Sequence, residues 1–264
     1  MMAAASLLAV SPAWAQGFSN CQAISQRLPG SMVVPVSTTA SATGGAYDVT
    51  ISYVGHATFR ITAPDGTSIA TDYTGHAGVG GTPTVVTMNH AHSSHYTNTP
   101  DPGIAHVLRG WETGGQADHH LEVGEVIVRN VPTDIRRWGT VEESGNSIFI
   151  FEIAGLCIGH LGHLHQLPSD QQYAEIGRLD VVFVPIDGTY TMDQPAMMQV
   201  VSRLRSSIVI PMHWWSDFTL SDFIAKTRDD GFAVEMRSDP TMTVSLNTLP
   251  EMPTLIVLPR QIGF

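Results

Sequence analysis

The chain has 264 residues, 43% hydrophobic and 14% charged, with glycine and proline spread along it, which is material for one sizeable domain. A formal net charge of −11 with only 13 Lys plus Arg argues against the basic face by which nucleic-acid binders displace counterions. Beyond the N-terminus no apolar run is long enough to span a bilayer, and a small-molecule partner fits better.

Residues 1–15 have the pattern of a signal peptide: an apolar stretch over 3–10, then Ser11-Pro12-Ala13-Trp14-Ala15, with small residues at −3 and −1 before Gln16. The pattern predicts a periplasmic or secreted protein, although the basic start of such peptides is missing; an apolar terminus that is not cleaved is the other reading. Residues 16–47 then form an N-terminal extension, and residues 48–264 the domain. Cys21 follows Phe18-Ser19-Asn20, which is not a lipobox. Cys157 falls in an apolar strand-like run and reads as a small buried thiol. Whether the two cysteines pair is left open.

Short segments rich in Val, Ile and Thr over 48–54, 57–63, 67–72 and 83–88 are separated by turn signals such as Pro64-Asp65-Gly66, so a β-meander is expected first. Strands over 146–153 and 155–159 follow. Thereafter helix and strand alternate: helix 168–177, strand 180–185, helix 193–204, strand 207–211 and helix 221–229. An α/β fold, with helices on the outer faces of sheets, follows from that order.

Directly after the strand at 83–88 stands Met88-Asn89-His90-Ala91-His92-Ser93-Ser94-His95, three imidazoles within six residues. In an extended loop residues i and i+2 project to one side, so His90 and His92 suit one cation, and His95 can turn toward a neighbouring position. Histidines recur where later strands end, in His160-Leu161-Gly162-His163-Leu164-His165 and Ile210-Pro211-Met212-His213. Ligands delivered from several strand ends are how an open α/β scaffold builds a site. Nitrogen-rich ligation favours zinc, one or two ions, with manganese or iron as substitutes.

These segments, with Ile51-Ser52-Tyr53-Val54-Gly55-His56-Ala57-Thr58-Phe59, Gly145-Asn146-Ser147-Ile148-Phe149 and Val184-Pro185-Ile186-Asp187-Gly188-Thr189-Tyr190, run in one order over residues 48–215. In that order they resemble the metallo-β-lactamase superfamily, and within it the branch similar to L-ascorbate-6-phosphate lactonase. The resemblance implies a four-layer αββα sandwich with metal between the inner sheet edges. Carried over by position, His90, His92 and His160 would hold a first metal, and His95 and His213 would serve a second. The chain departs from the family twice: Ser94 stands where His-x-His-x-Asp-His has its aspartate, and His163 where a bridging aspartate is usual.

That double loss bears on metal count. Two dications about 4 Å apart repel by roughly 20 kcal/mol at an effective dielectric near 20, and neutral imidazoles offset this far less than carboxylates do. One tight metal at His90, His92 and His160 is therefore expected, with the second position weak or rebuilt, although His95, His163 and His213 can form a three-imidazole site of their own. Asp72 takes the place of a family aspartate that supports the site. Asp187 either reaches the cleft or shapes a turn before Gly188.

The resemblance implies hydrolysis of an ester, lactone or phosphoester by a metal-activated water, with Asp187, His56 or His163 as base or proton shuttle. Tyr190 and His165 are further cleft candidates, and the loops 74–82 and 111–125 are expected to rim it. Two other classes stay open: a non-catalytic secreted metal- or ligand-binding protein, suggested by the missing carboxylates, and a nuclease, against which the acidic balance counts.

Overall fold

The computed structural model describes residues 19–23, 45–137 and 139–261; the expected signal peptide and much of the extension lie outside them. In chain order the elements are α1 (Asn20–Ala23), β1 (Val49–Gly55), β2 (Thr58–Thr62), β3 (Ser68–Ala70), β4 (Val85–Met88), β5 (His106–Arg109), β6 (His120–Val123), β7 (Val126–Arg137) and β8 (Thr140–Ile153). There follow β9 (Leu156–His160), α2 (Asp170–Ile176), β10 (Val181–Pro185), α3 (Gln194–Leu204), β11 (Ile208–Met212), α4 (Asp217–Asp229), β12 (Ala233–Met236), β13 (Thr241–Val244) and β14 (Thr254–Val257).

The strands form two sheets, ordered β13-β1-β2-β3-β4-β5 and β12-β14-β11-β10-β9-β8-β7-β6. The expected meander holds through β1, β2 and β3, but β4 pairs parallel to β3 and so belongs to a crossover. Alternation explains the inner faces. Val49, Ile51 and Tyr53 of β1 are fully buried while Thr50 and Ser52 between them are not, the period-2 pattern of a strand with one face on a core. By contrast all of β10 is buried, as a parallel strand covered on both faces must be. Phe59 of β2 stacks on Phe183 of β10 with ring centroids 4.0 Å apart, joining the two sheets directly beneath the site.

Two facing sheets form the inner layers of the expected four-layer αββα sandwich. On the second, α2 packs on β7, and α4 packs on β12 and α3. On the outer face of the first, Ala70, Val86 and Met88 are covered by Tyr73, Ala77 and Ile104 from the connections, so among the described residues that layer is loop. Helix starts follow their caps: Ser169 closes a capping box with Gln172, and Asp193 accepts from the Ala196 amide. Helix α4 begins at Asp217 rather than 221 because Ser216 accepts from the Thr219 amide.

Cys157 is not a free thiol. It is bonded to Cys21, with 5.9 Å between the Cα atoms, and the bridge ties α1 to the second sheet. Glu152 reinforces the joint by accepting from Ser19 Oγ, from the Asn20 amide at 3.0 Å and from Arg129 Nε at 3.1 Å. No helix among the described residues is long and apolar enough to cross a membrane.

Candidate metal centre

The site lies where four strands end on one rim of the sandwich: the β1–β2 turn brings His56, the loop after β4 brings His92 and His95, and the segments after β9 and β11 bring His163 and His213. The backbone is bent sharply at two of these points and at Asp72, just beyond β3. His56, Asp72 and His213 have φ of 54°, 40° and 58°, a left-handed conformation costing a non-glycine residue about 1 kcal/mol or more. The His213 amide donates to the His56 carbonyl at 2.9 Å, so the two bends hold each other.

Five imidazoles converge. Ring nitrogens of His56, His92, His95 and His213 all lie within 4.8 Å of one another. His163 completes a near-equilateral triangle, with ring centroids 4.9 Å from His95 and 4.9 Å from His213, while His95 and His213 are 5.1 Å apart. Each ring of that triangle is held through Nδ1. His95 Nδ1 lies 2.6 Å from Asp72 Oδ2, His213 Nδ1 3.0 Å from Asp187 Oδ1, and His163 Nδ1 2.7 Å from His165 Nε2. A carboxylate on Nδ1 keeps the proton there and leaves Nε2 its lone pair, the arrangement by which proteins orient histidine ligands. Nε2 of both His163 and His213 is buried without a hydrogen-bond partner, and His95 Nε2 faces only His56 Nε2, at 3.3 Å.

Orphaned buried nitrogens are costly unless something binds them. Packed imidazole rings, four of them with mutually close nitrogens and two, His163 and His213, with an orphaned Nε2, fit a divalent metal of the zinc type. Burial and the neighbouring rings lower the His56 pKa to about 2, and burial first, then neighbouring imidazoles, hold His95 and His163 far below the ordinary value. These rings are therefore neutral, as ligands must be. Burial lifts Asp72 to about 6, against the pull of His160 and Asn89. Burial also pushes Asp187 upward, but His213, Thr191 and the Thr189 amide outweigh it and keep its carboxyl well below the usual range.

The triad of His90, His92 and His160 is not assembled. His90 turns its Nδ1 to Glu142 and stacks on Trp111 at 4.8 Å, outside the cluster. Both nitrogens of His160 are committed, Nε2 to the Ala57 carbonyl at 2.8 Å and Nδ1 to the Gly162 amide at 3.1 Å, and its ring is wedged against Phe59 and Phe183. Asp187 is not free to act as a base. Its oxygens accept from the amides of Thr189, Tyr190 and Thr191 and from two threonine hydroxyls besides His213, so it shapes the turn and orients the ligand together. Ser94, in the place of an aspartate, bridges His56 Nε2 and His92 Nδ1 at 2.7 Å each.

A cavity of about 850 Å³ opens over the cluster. Its described lining includes His92, Ser94, His163, His165 and Tyr190, but nothing from loops 74–82 or 111–125; the rim is supplied instead by Ile135, Arg136, Thr189 and Trp215. The reading of the sequence passed over Arg136 and Trp215, which follow no spacing rule. Adjacency of Trp215 to His213 was the one available sign.

Residues 50–213 match the family model described as a Beta-lactamase superfamily domain. A protein of Pyrococcus abyssi named a metal-dependent hydrolase is 30% identical over 117 residues, 42% of this chain and 50% of that protein. One of Deinococcus radiodurans, so named too, is 28% identical over 62% of this chain and 81% of its own. The chain thus spans about half the length of the Pyrococcus relative. Among solved structures, a Thermotoga maritima protein described as a putative Zn-dependent hydrolase of the metallo-β-lactamase superfamily superimposes with a TM-score of 0.59 at 25% identity, covering 81% of this chain and all of that one. Igni18 of Ignicoccus hospitalis, covering 75% of this chain and 99% of its own, gives 0.56 at 19% identity, a likeness of fold. With its central 50–213 matched and the same sandwich carrying histidines at its strand ends, this chain belongs to the metallo-β-lactamase superfamily.

Proposed function

We propose that the protein is a metal-dependent hydrolase of small esters, lactones or phosphoesters, built around one metal, zinc by preference, held by His95, His163 and His213. The observation that carries this is the pair of buried, partnerless Nε2 atoms on His163 and His213, rings that lie 4.9 and 5.1 Å from that of His95 and are each braced at Nδ1. The names of the relatives in Pyrococcus and Deinococcus support the hydrolase reading. When bound there, the metal supplies Lewis acidity and activates water.

The chain's own groups do the rest. His92, on the cavity wall, is the imidazole placed to take a proton, and Ser94 Oγ fixes its Nδ1 and links it to His56 Nε2. His56, neutral and covered by Trp215 at 4.8 Å between ring centroids, positions Ser94 and His95. His165 holds His163 and shares the cavity wall with it. Tyr190 and Trp215 line the same cavity.

Metal content of protein purified without chelator, read beside hydrolysis of an ester, lactone and phosphodiester panel, tests this. One equivalent, lost in His163→Ala and His213→Ala but kept in His90→Ala, is expected; two equivalents, or loss in His90→Ala, would overturn the single-metal site. The absence of both acidic ligands favours a second reading, a metal-binding protein without catalysis, which one retained equivalent and a silent panel would establish. The Cys21–Cys157 bridge supports our further proposal of a periplasmic or secreted location, since disulfides persist in oxidising compartments.

A further inference from the structure

The described lining of the cavity holds one formally charged side chain, Arg136, and no Asp or Glu. This is unexpected by composition, because the chain carries 24 Asp plus Glu against 13 Lys plus Arg. Nearly every other carboxylate near the site is already spent: Asp72 on His95 and Asn89, Asp187 on its turn and His213, Glu142 on His90. The Arg136 side chain has no hydrogen bond or ion pair to any described residue, in contrast to those of Arg60, Arg129, Arg178, Arg203 and Arg260; those of Arg109, Arg205 and Arg228 are likewise without one, but Arg136 is the arginine in the described lining of the cavity. It is delivered by the outer part of the β7–β8 hairpin, past the irregularity between Thr133 and Ile135.

Facing the same cavity are two aromatic side chains that the fold leaves more than half exposed. Tyr190 and Trp215 are each 59% accessible, yet Tyr190 sits 6.5 Å from the His92 ring and Trp215 5.6 Å from that of His213. Apolar rings left open beside a polar floor are there to be covered by something flat. A guanidinium in a carboxylate-free, partly apolar cavity is a ready partner for a carboxylate or phosphate group, which it can bind through two parallel hydrogen bonds.

We propose that Arg136 is the anion-recognition residue of this cavity, and that the substrate is a small molecule bearing a carboxylate or phosphate group, whose planar part lies against Tyr190 and Trp215. This rests on the hydrolase reading for the word substrate alone; the binding site stands on its own geometry. Bound anion and scissile group then occupy opposite ends of one molecule, the first at Arg136 and the second over the imidazole floor.

The test is a calorimetric titration of the metal-loaded protein with benzoate, phenylphosphonate and benzyl alcohol, for wild type, Arg136→Gln and Arg136→Lys. At least one anion is expected to bind about tenfold or more tightly than the alcohol, less so at high salt. Arg136→Gln should abolish that preference and Arg136→Lys retain part of it, while Trp215→Ala weakens all three probes alike. Whether benzoate or phenylphosphonate wins identifies the anion. An anion preference that survives in Arg136→Gln places the anion on the metal or the imidazoles and overturns the proposal, as does equal binding of benzyl alcohol or no binding at millimolar concentration. A silent hydrolysis panel beside Arg136-dependent binding would fell the hydrolase reading and leave this one standing.

Discussion

Asp187 Oδ1 lies 3.0 Å from His213 Nδ1, and the opposite nitrogen of that ring is the one left buried and unpartnered. The carboxylate thus decides which nitrogen faces the cluster, while its other bonds stitch the turn through Thr189, Tyr190 and Thr191. Asp187→Asn keeps the size and part of the hydrogen bonding but loses the charge. Metal affinity should fall about 10- to 100-fold. Competition against a chelator measures it, and an unchanged affinity would show that His213 is not a ligand.

Acid should destabilise the metal-free protein. His56, His95, His160 and His163 are all held below their ordinary value, chiefly by burial, while unfolded histidines titrate near 6.5. Below about pH 6.5 the unfolded chain binds the extra protons, so stability is level above that pH and falls beneath it, by about 1.4 kcal/mol per pH unit for each ring that stays neutral. Asp72 works the other way, since its pKa is raised to about 6 and the native state takes up its proton first, offsetting one ring. Melting temperature followed from pH 8 to 4.5 should drop steeply below 6.5; a flat profile contradicts the burial of neutral rings.

Gly162 has φ of 60°, and a Cβ there would lie 2.3 Å from Asn146 Oδ1 and 2.5 Å from Asn89 Nδ2. Those two amides brace the site, Asn146 accepting from the His163 amide and Asn89 donating to Asp72. Gly162→Ala should cost about 2–5 kcal/mol, combining left-handed strain with overpacking, and should loosen the metal as well. Denaturant unfolding and metal content together report both effects; a neutral outcome would mean the segment after β9 can relax.

Reduction of Cys21–Cys157 opens a link across 136 residues of chain. Loop entropy of that size corresponds to about 2–5 kcal/mol, or roughly 5–15 °C in melting temperature. Cys21→Ser should show the same loss without reductant. Activity per folded molecule should be kept, because the bridge lies on the second sheet, away from the histidines; loss of metal on reduction would contradict that separation.

Much of the frame was legible in the residues. Val, Ile and Thr content over 48–54 marked β1, the run 180–185 marked the strand found as β10, and the helices expected over 168–177 and 193–204 are α2 and α3. The hairpin β7–β8 was harder to see. Pro132 interrupts its pattern, and in its outer half Ile135 and Arg136 line the cavity.

Sequence alone determined that histidines would gather at strand ends, because spacing along the chain places His92, His95, His163 and His213 just beyond β4, β9 and β11. Which nitrogens converge was a tertiary decision. The i, i+2 argument for His90 and His92 assumes an extended loop, but the His95 amide donates to the His92 carbonyl at 2.9 Å and the Asn89 amide to the His95 carbonyl at 3.2 Å, so the loop is a closed turn. Within that turn His90 falls to Glu142 and Trp111, and His95 falls to Asp72. Partners so distant in the chain, 23 residues for Asp72 and His95 and 26 for Asp187 and His213, become neighbours only when both sheets are packed.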